Sequence, residues 1–522
     1  MREVVGTTTV PAAPERQEED VDSTVEEMKE KLIEEALSTL GSWRARCSEV
    51  LEAARRGRVT GDLELRFLDF VEKELSIIIA GLAALSPQHV DEEMVRWLRE
   101  LTDRASNLLA RALSEADPRR HNTLLRRAAR FFRRRHHRYT FGFRVHAAET
   151  FYGLAEDLQR YRLLLPATSH HGLPPQAAEE GDGSGLIPVD MDWFGRSPAP
   201  FHDSPYVNNP LIMLCMSMFP YGYKFEKDRL VMRWLFEGLS SFKFFYNPGP
   251  EEEAKAGKYF SYLVDRNVIT HAAPNSRRRT NLLDEAELWQ WNVHHLQYQL
   301  LATKSAEIGF AFTSATLNLL AEASATGHGN QAASRIPLPL PRRLALHHDG
   351  PNIPSVLQNI DLSQTRSLAV SGAVSIGVLL DKFVNLVVLD VEGWEKFGDE
   401  DLLRVCRSKM FFLRYLSIRN TRISKLPPEI DMLPSLKVLD ASKTEVTEIL
   451  FGVSEEILLY RLDLRGTPMR QLTVLKKFRR LHHLLLGGEG MTNSAEIATR
   501  VPHDFIRRFS RLRTLATIDL SE

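Results

Sequence analysis

The chain has 522 residues, 43% of them hydrophobic, too long for one ordinary core and apolar enough for about two to four domains. Its 67 lysines and arginines nearly balance 68 acids, so no global charge recruits nucleic acid or an anionic membrane; only a local patch could. Three scattered cysteines, Cys47, Cys215 and Cys406, form no C-x-x-C pair, which excludes a disulfide framework and a zinc ribbon and fits a reducing compartment.

In chain order, the opening MREVVGTTTVPAAPERQEED lacks the uninterrupted apolar core of a signal peptide, and no run of about 18 apolar residues is present to span a bilayer. The expected location is cytoplasmic, with the nucleus and the inner surface of the plasma membrane left open. Residues 1–25, rich in Pro, Thr and acids without apolar periodicity, are predicted to be disordered. Over residues 26–165 apolar positions recur at helical spacing (Leu63, Phe67, Phe70, Val71, Leu75, Ile78; then Met94, Trp97, Leu98, Leu101, Leu108, Leu109), which predicts about four amphipathic helices.

That region closes with a basic run over residues 119–144, which contains Arg126, Arg127, Arg130, Arg133, Arg134, Arg135 and Arg138, no acid, and interleaved Phe131, Phe132 and Tyr139. Two readings stay open. Arginines with aromatics can grip phosphates and stack on bases, or lie on an anionic membrane. Alternatively Leu124, Leu125, Ala128, Phe131 and Phe132 face a helical bundle and the arginines are its solvated side, the preferred reading because no nucleic-acid-binding motif accompanies the run.

Residues 166–205 turn to Pro, Gly, Ser and Asp, the composition of a linker. Over 206–310, NNPLIMLCMSMFPYGYKFEKDRLVMRWLFEGL predicts an apolar helix ended by Phe219-Pro220, then a second helix opening at Asp228 with Leu230, Val231, Trp234 and Leu235 as its buried stripe. A connector is expected at 311–340. From Pro341 to Glu522 an L-x-x-L-x-L unit recurs, starting at 341, 365, 386, 413, 436, 459, 481 and 512, a leucine-rich-repeat spacing. Positions 1, 4 and 6 are expected to stack on a shared core while the residues between them face outward. The chain stops within or just after a repeat strand, so the repeat array is expected to be truncated, with an open end.

One stretch in this array, LVVLDVEGW at 386–394, has the look of a Walker-B strand, an apolar run ending in a magnesium-binding acid. The repeat register accounts for it instead, placing Asp390 at the same outward position as Ser417, Asp440 and Asp463. A Walker A would also be required, and no G-x-x-x-x-G-K-[ST] occurs in the chain.

Taken together, LRFLDFVEKELSIIIAGLAAL with DEEMVRWLRELTDRASNLLARAL, MLCMSMFPYGYKFEKDRLVMRWLFEGL with AGKYFSYLVDRNVI, and LRYLSIRNTRISKLPPEIDMLPSLKVLDASKTEVTEI resemble, in this order, plant nucleotide-binding leucine-rich-repeat disease-resistance proteins of the coiled-coil class, in the form common in grasses. The resemblance implies a multidomain α and α/β protein: an N-terminal four-helix bundle, a winged-helix domain and a leucine-rich-repeat solenoid. Departures accompany it. The nucleotide-binding subdomain is missing from 166–205, where Gly172-Leu173-Pro174-Pro175 is left as a possible vestige of a G-L-P-L motif. The family's Met/Val-His-Asp triplet falls on Val293, His294 and His295, and its acidic motif on Ser106, Asn107 and Ala110. The Glu-Asp of its F-P-E-D-Y motif falls on Tyr221-Gly222.

Candidate chemistry is sparse. Adjacent histidines such as His294 and His295 on a helix point roughly 100° apart and cannot ligate one ion from one face. The pairs at His136, His170, His347 and His482 likewise lack metal-ligand spacing, and no G-x-S-x-G elbow or Cys-His partner supports a hydrolase. The outward repeat positions Arg414, Tyr415, Ser417, Arg419, Lys437, Asp440, Tyr460, Arg461, Asp463 and Arg465 form a candidate protein-binding face, since Tyr and Arg often carry interface energy. The expectation is a non-enzymatic defence protein without a cofactor, a decoy, regulator or helper whose partners are full-length relatives or a pathogen effector. Self-association through the N-terminal helices or the open repeat end is a further expectation. A nucleic-acid or membrane binder working through the basic run, and a residual ADP/ATP switch, stay open as alternatives.

Overall fold

The computed structural model describes residues 15–57, 62–83, scattered positions from 87 to 110, 210–239, 248–272, 290–307, 309–325, 341–348, 350, 353–408, 410–449, 459–469, 481–487 and 514–518. They fall into two compact units, one within Met1–Pro166 and one within Ala167–Glu522. The basic run with Arg126, Arg127, Arg130, Arg133, Arg134, Arg135 and Arg138, and the 166–205 linker, lie outside the described residues.

In the first unit, α1 (Glu15–Gly57) packs against α2 (Asp62–Ala83). Helix α1 starts inside the stretch expected to be disordered: its acidic opening turns supply helix-forming Glu and Gln where apolar periodicity gave no signal. Ile33, Ala36, Leu40, Cys47 and Leu51 of α1 are buried, as are Phe70, Val71, Leu75, Ile78 and Leu82 of α2. Polar ties flank this seam: Ser48 donates to Glu72 at 3.1 Å, and Trp43 Nε1 donates to Ser106 Oγ at 3.1 Å. Ser106 is one of the positions where the resemblance implies an acid.

Among the described residues of the second unit, α3 (Pro210–Cys215), whose chain leaves the helix at Phe219-Pro220, comes first, followed by β1 (Phe225–Glu226), α4 (Lys227–Glu237), α5 (Pro250–Asp265), β2 (Ile269–His271), β3 (Gln290–Val293) and α6 (His295–Glu307). The strands pair antiparallel in the order β1-β3-β2. Helix α4 ends at Gly238, whose left-handed φ of 92° lets its N–H return to Trp234 O. Pro250 opens α5 behind Gly249, whose N–H is accepted by Glu252 at 2.8 Å.

Next come β4 (Phe312–Thr313) and α7 (Ser314–Ala325). Then follow β5 (Arg343–Leu346), α8 (Ile353–Asn359), β6 (Ser367–Val370), β7 (Val388–Asp390), α9 (Asp399–Arg407), β8 (Tyr415–Ser417), β9 (Lys425–Leu426), β10 (Val438–Asp440), β11 (Glu448–Ile449), β12 (Arg461–Asp463), β13 (His483–Gly487) and β14 (Thr514–Ile518). Nine strands make one parallel sheet in the order β14-β13-β12-β10-β8-β7-β6-β5-β4. Each strand from β5 onward in this sheet begins two residues after a unit start read from the sequence. The sheet nevertheless starts earlier than expected: β4, within the predicted connector, pairs Phe312 with Leu344. A single F-T pair before a helix carries no repeat of its own to be recognised by.

Leucines at the predicted inward positions, such as Leu386, Leu389 and Val391, or Leu413, Leu416 and Ile418, join one continuous core behind the sheet. After the strands, a left-handed residue recurs five positions from the strand start: Gly372, Gly393, Asn420, Lys443 and Gly466, with φ between 53° and 69°. From Gly372 to Lys443 each turn hydrogen-bonds to the next, as when Gly393 N donates to Arg419 O at 3.0 Å. Among the described residues no helix is long and apolar enough to cross a membrane.

Candidate functional site on the repeat sheet

Parallel register brings sequence-distant residues into one row on the polar side of the sheet. Asp390 of β7 lies opposite Ser417 of β8, Ser417 opposite Asp440 of β10, and Asp440 opposite Asp463 of β12. Neighbouring strands are about 4.8 Å apart, so the acids repel one another unless cations lie over them. Helix α4 supplies two of those cations, Arg229 and Arg233, from consecutive turns of one face.

Arg229 lays its guanidinium against the row. Its Nη2 lies 3.2 Å from Asp390 Oδ1 and donates to Ser417 Oγ at 3.0 Å; its Nε is 3.1 Å from Asp440 Oδ2. Its Nη1 contacts Tyr223 Oη at 2.7 Å and pairs with Glu392, to which Tyr223 also donates. Arg233 donates to Asp390 Oδ2 at 2.8 Å and stacks over Phe219. Its neighbour Glu237 accepts from Arg343 Nε at 2.8 Å, and Arg343 lies over the Phe310 ring.

A second contact runs through Glu226, which accepts from Arg419 at 2.9 Å with one oxygen and from Arg465 at 2.8 Å with the other. Arg465 is itself bidentate on Asp463. Farther along, Glu253 of α5 accepts from Tyr460 Oη and sits 3.2 Å from His483 Nε2, while Phe236 packs against the Tyr460 ring. At the other end His347 bridges the layers, its Nε2 at 2.6 Å from Met218 O and its Nδ1 at 2.7 Å from Ser371 Oγ. The carbonyl can only accept, so Nε2 carries the proton and Nδ1 accepts from the serine.

The electrostatics follow from this pairing. Burial pushes the Glu226 carboxyl upward, but Arg465 and Arg419 outweigh it and hold the group at about 2. Asp440 is likewise lowered: burial opposes ionisation, and Arg229, Arg419 and the Ser442 hydrogen bonds overcome it. Burial lowers His347 to about 4, so this imidazole is neutral at neutral pH. The three cysteines are free and buried, with burial pushing each thiol up to about 12. Among the described residues no group of three or more His, Cys, Asp or Glu is placed to hold a metal.

The face read from sequence as outward is therefore covered. Tyr415, Ser417, Asp440, Tyr460, Arg461 and Asp463 are buried, Arg419 is 9% exposed, and Arg414, Lys437 and Arg465 are partly buried. The sequence pattern puts these residues between the leucines and says nothing of what lies on them. Helix α4 buries its predicted stripe of Leu230, Val231, Trp234 and Leu235, but also Arg229, Arg233 and Glu237 outside that stripe. The missed signal was the pair of arginines four apart on one face of α4, combined with acids at equivalent places in several repeats. Val293 ends β3, His294 occupies the β3–α6 junction rather than a helix, and its ring lies 4.5 Å from that of His295. Among the described residues, neither histidine contacts the row.

Residues 364–520 match a family model described as a leucine-rich repeat region. Strands β6 to β14 of the sheet lie within this leucine-rich repeat region. The chain is also similar to rice (Oryza sativa subsp. japonica) disease resistance proteins. Identity to Pik-2 is 29% over 238 residues, 45% of this chain and 21% of that protein. To Pik-1 it is 29% over 242 residues, 46% and 18%, and to RGA4 26% over 312 residues, 58% and 27%. The chain thus spans about a fifth to a quarter of the length of the curated relatives it matches. In the leucine-rich repeat region the leucine positions build the core, and the positions between them build the acidic row that α4 occupies.

Proposed function

We propose that the chain acts in plant defence by binding proteins, and that its own helical layer holds the leucine-rich repeat face closed until a partner takes its place. The observation that carries this is the pairing of Arg229 and Arg233 with Asp390, Asp440 and Glu392 across the repeat row. Support for the defence context comes from the similarity to rice disease resistance proteins. Buried ion pairs add little net stability over apolar packing, yet they tolerate only one docking geometry, which suits an interface that must be specific and releasable.

In the same reading, residues 206–310 form a winged helix, on the order α3, β1, α4, α5, β2, β3 and the antiparallel pairing of its strands. Helices α1 and α2 form part of a four-helix bundle. The chain works without a nucleotide switch, because no Walker-A glycine loop with its lysine is present in the 522 residues to compensate a triphosphate. Its partners are full-length relatives or a pathogen effector, met in the cytoplasm. Calorimetry of the purified chain with Mg-ATP and with ADP tests the switchless reading: binding no tighter than about millimolar is expected, and micromolar, magnesium-dependent binding refutes it.

A further inference from the structure

The place of Arg229 is more selective than an acidic surface needs to be. Between Asp390 and Asp440, two strand spacings or about 10 Å apart, the intervening residue is the small Ser417. Its hydroxyl leaves room for a flat group lying between the two carboxylates. Both terminal nitrogens of Arg229 hydrogen-bond there, Nη2 to Asp390 and Ser417, Nη1 to Glu392 and Tyr223, while Nε lies 3.1 Å from Asp440 Oδ2 as an ion pair without hydrogen-bond geometry. A lysine ammonium is a point charge and cannot span acceptors spread around a planar fork. Three of these five partners lie on strands of the repeat sheet and a fourth, Glu392, lies in the turn after β7, so four of them stay with the repeats when α4 leaves.

We infer that the leucine-rich repeat face carries a guanidinium-selective slot, and that the external partner it takes is a helix presenting arginines four residues apart, in the manner of Arg229 and Arg233. The inference rests on the proposed closed state and names the chemistry of the partner that opens it. The internal helix shows the fit: a second arginine one turn on reaches the other oxygen of Asp390 at 2.8 Å.

The test uses the full chain carrying Arg229→Ala and Arg233→Ala, titrated by fluorescence anisotropy with a labelled helical peptide bearing two arginines four apart, and with versions bearing lysine or glutamine there. The arginine peptide is expected to bind about tenfold or more tighter than the lysine peptide, and Asp390→Asn with Asp440→Asn is expected to abolish the difference. Equal binding of arginine and lysine peptides, or binding of neither, overturns the inference. Should the double variant not fold, the Arg229→Lys chain, which keeps the charge, takes its place with the same two outcomes. If Asp390→Asn leaves the exchange protection of α4 unchanged, the closed-state reading is wrong; if it loosens α4 while the peptides are not told apart, only the slot is wrong.

Discussion

Replacing Asp390 by Asn keeps the shape of the side chain and removes the charge on which both α4 arginines converge. Among the described residues the acidic partners of Arg233 are Asp390 at 2.8 Å and Glu237 at 3.8 Å, with its side chain 2% exposed. Removing one member of a buried ion pair costs about 3–5 kcal/mol. Here Arg229 keeps Asp440 and Glu392, and the Asn oxygen still accepts one hydrogen bond, so the expected loss is about 2–3 kcal/mol. Urea denaturation of the full chain measures it. Leu389→Ala, one residue away on the core side and fully buried, is expected to cost a similar 2–5 kcal/mol or so by cavity formation. Hydrogen exchange separates the two: Asp390→Asn should raise exchange in Lys227–Glu237 and spare β7 and β8, whereas Leu389→Ala should loosen the strands. Unchanged stability together with unchanged exchange in α4 refutes the view that this row holds the helix.

Acid should weaken the contact in two steps. His347 has its folded pKa lowered to about 4, so the stability it contributes is complete above the ordinary histidine pKa of about 6.5 and is lost as pH falls to 4, on the order of 3 kcal/mol. Glu226, lowered to about 2, contributes stability above about pH 4.5 that is lost as pH falls toward 2, on the order of 2–3 kcal/mol. Stability measured from pH 7 to 3 should fall throughout, His347→Gln should flatten the upper window, and Glu226→Gln the lower. At the repeat turns, Lys443 holds φ at 56° where Gly372, Gly393 and Gly466 occupy equivalent places. Lys443→Gly should therefore raise stability by about 1 kcal/mol by relieving left-handed strain, and a loss on denaturant titration would show that the Lys443 side chain matters more than its backbone.

What the amino-acid order alone determined was the repeat sheet, because its information is local and periodic. Leucines at fixed spacing place strands starting at 343, 367, 388, 415, 438, 461, 483 and 514, and they put Asp390, Ser417, Asp440 and Asp463 on the same side. The stripe of α4 was legible for the same reason, as was the burial of Phe70, Val71, Leu75 and Ile78. Two local features were not: the acidic start of α1, which carries helix propensity without periodicity, and β4, a strand of two residues. Only the tertiary structure decided what the polar row does. Arg229 and Asp390 lie 161 residues apart, Glu226 and Arg465 239 apart, and neither carries a pattern that names its partner. Hydrophobic periodicity tells which way a side chain points relative to its own element. Whether the far side then meets water or another layer depends on long-range packing, and here that packing turned an apparent binding surface into an occupied one.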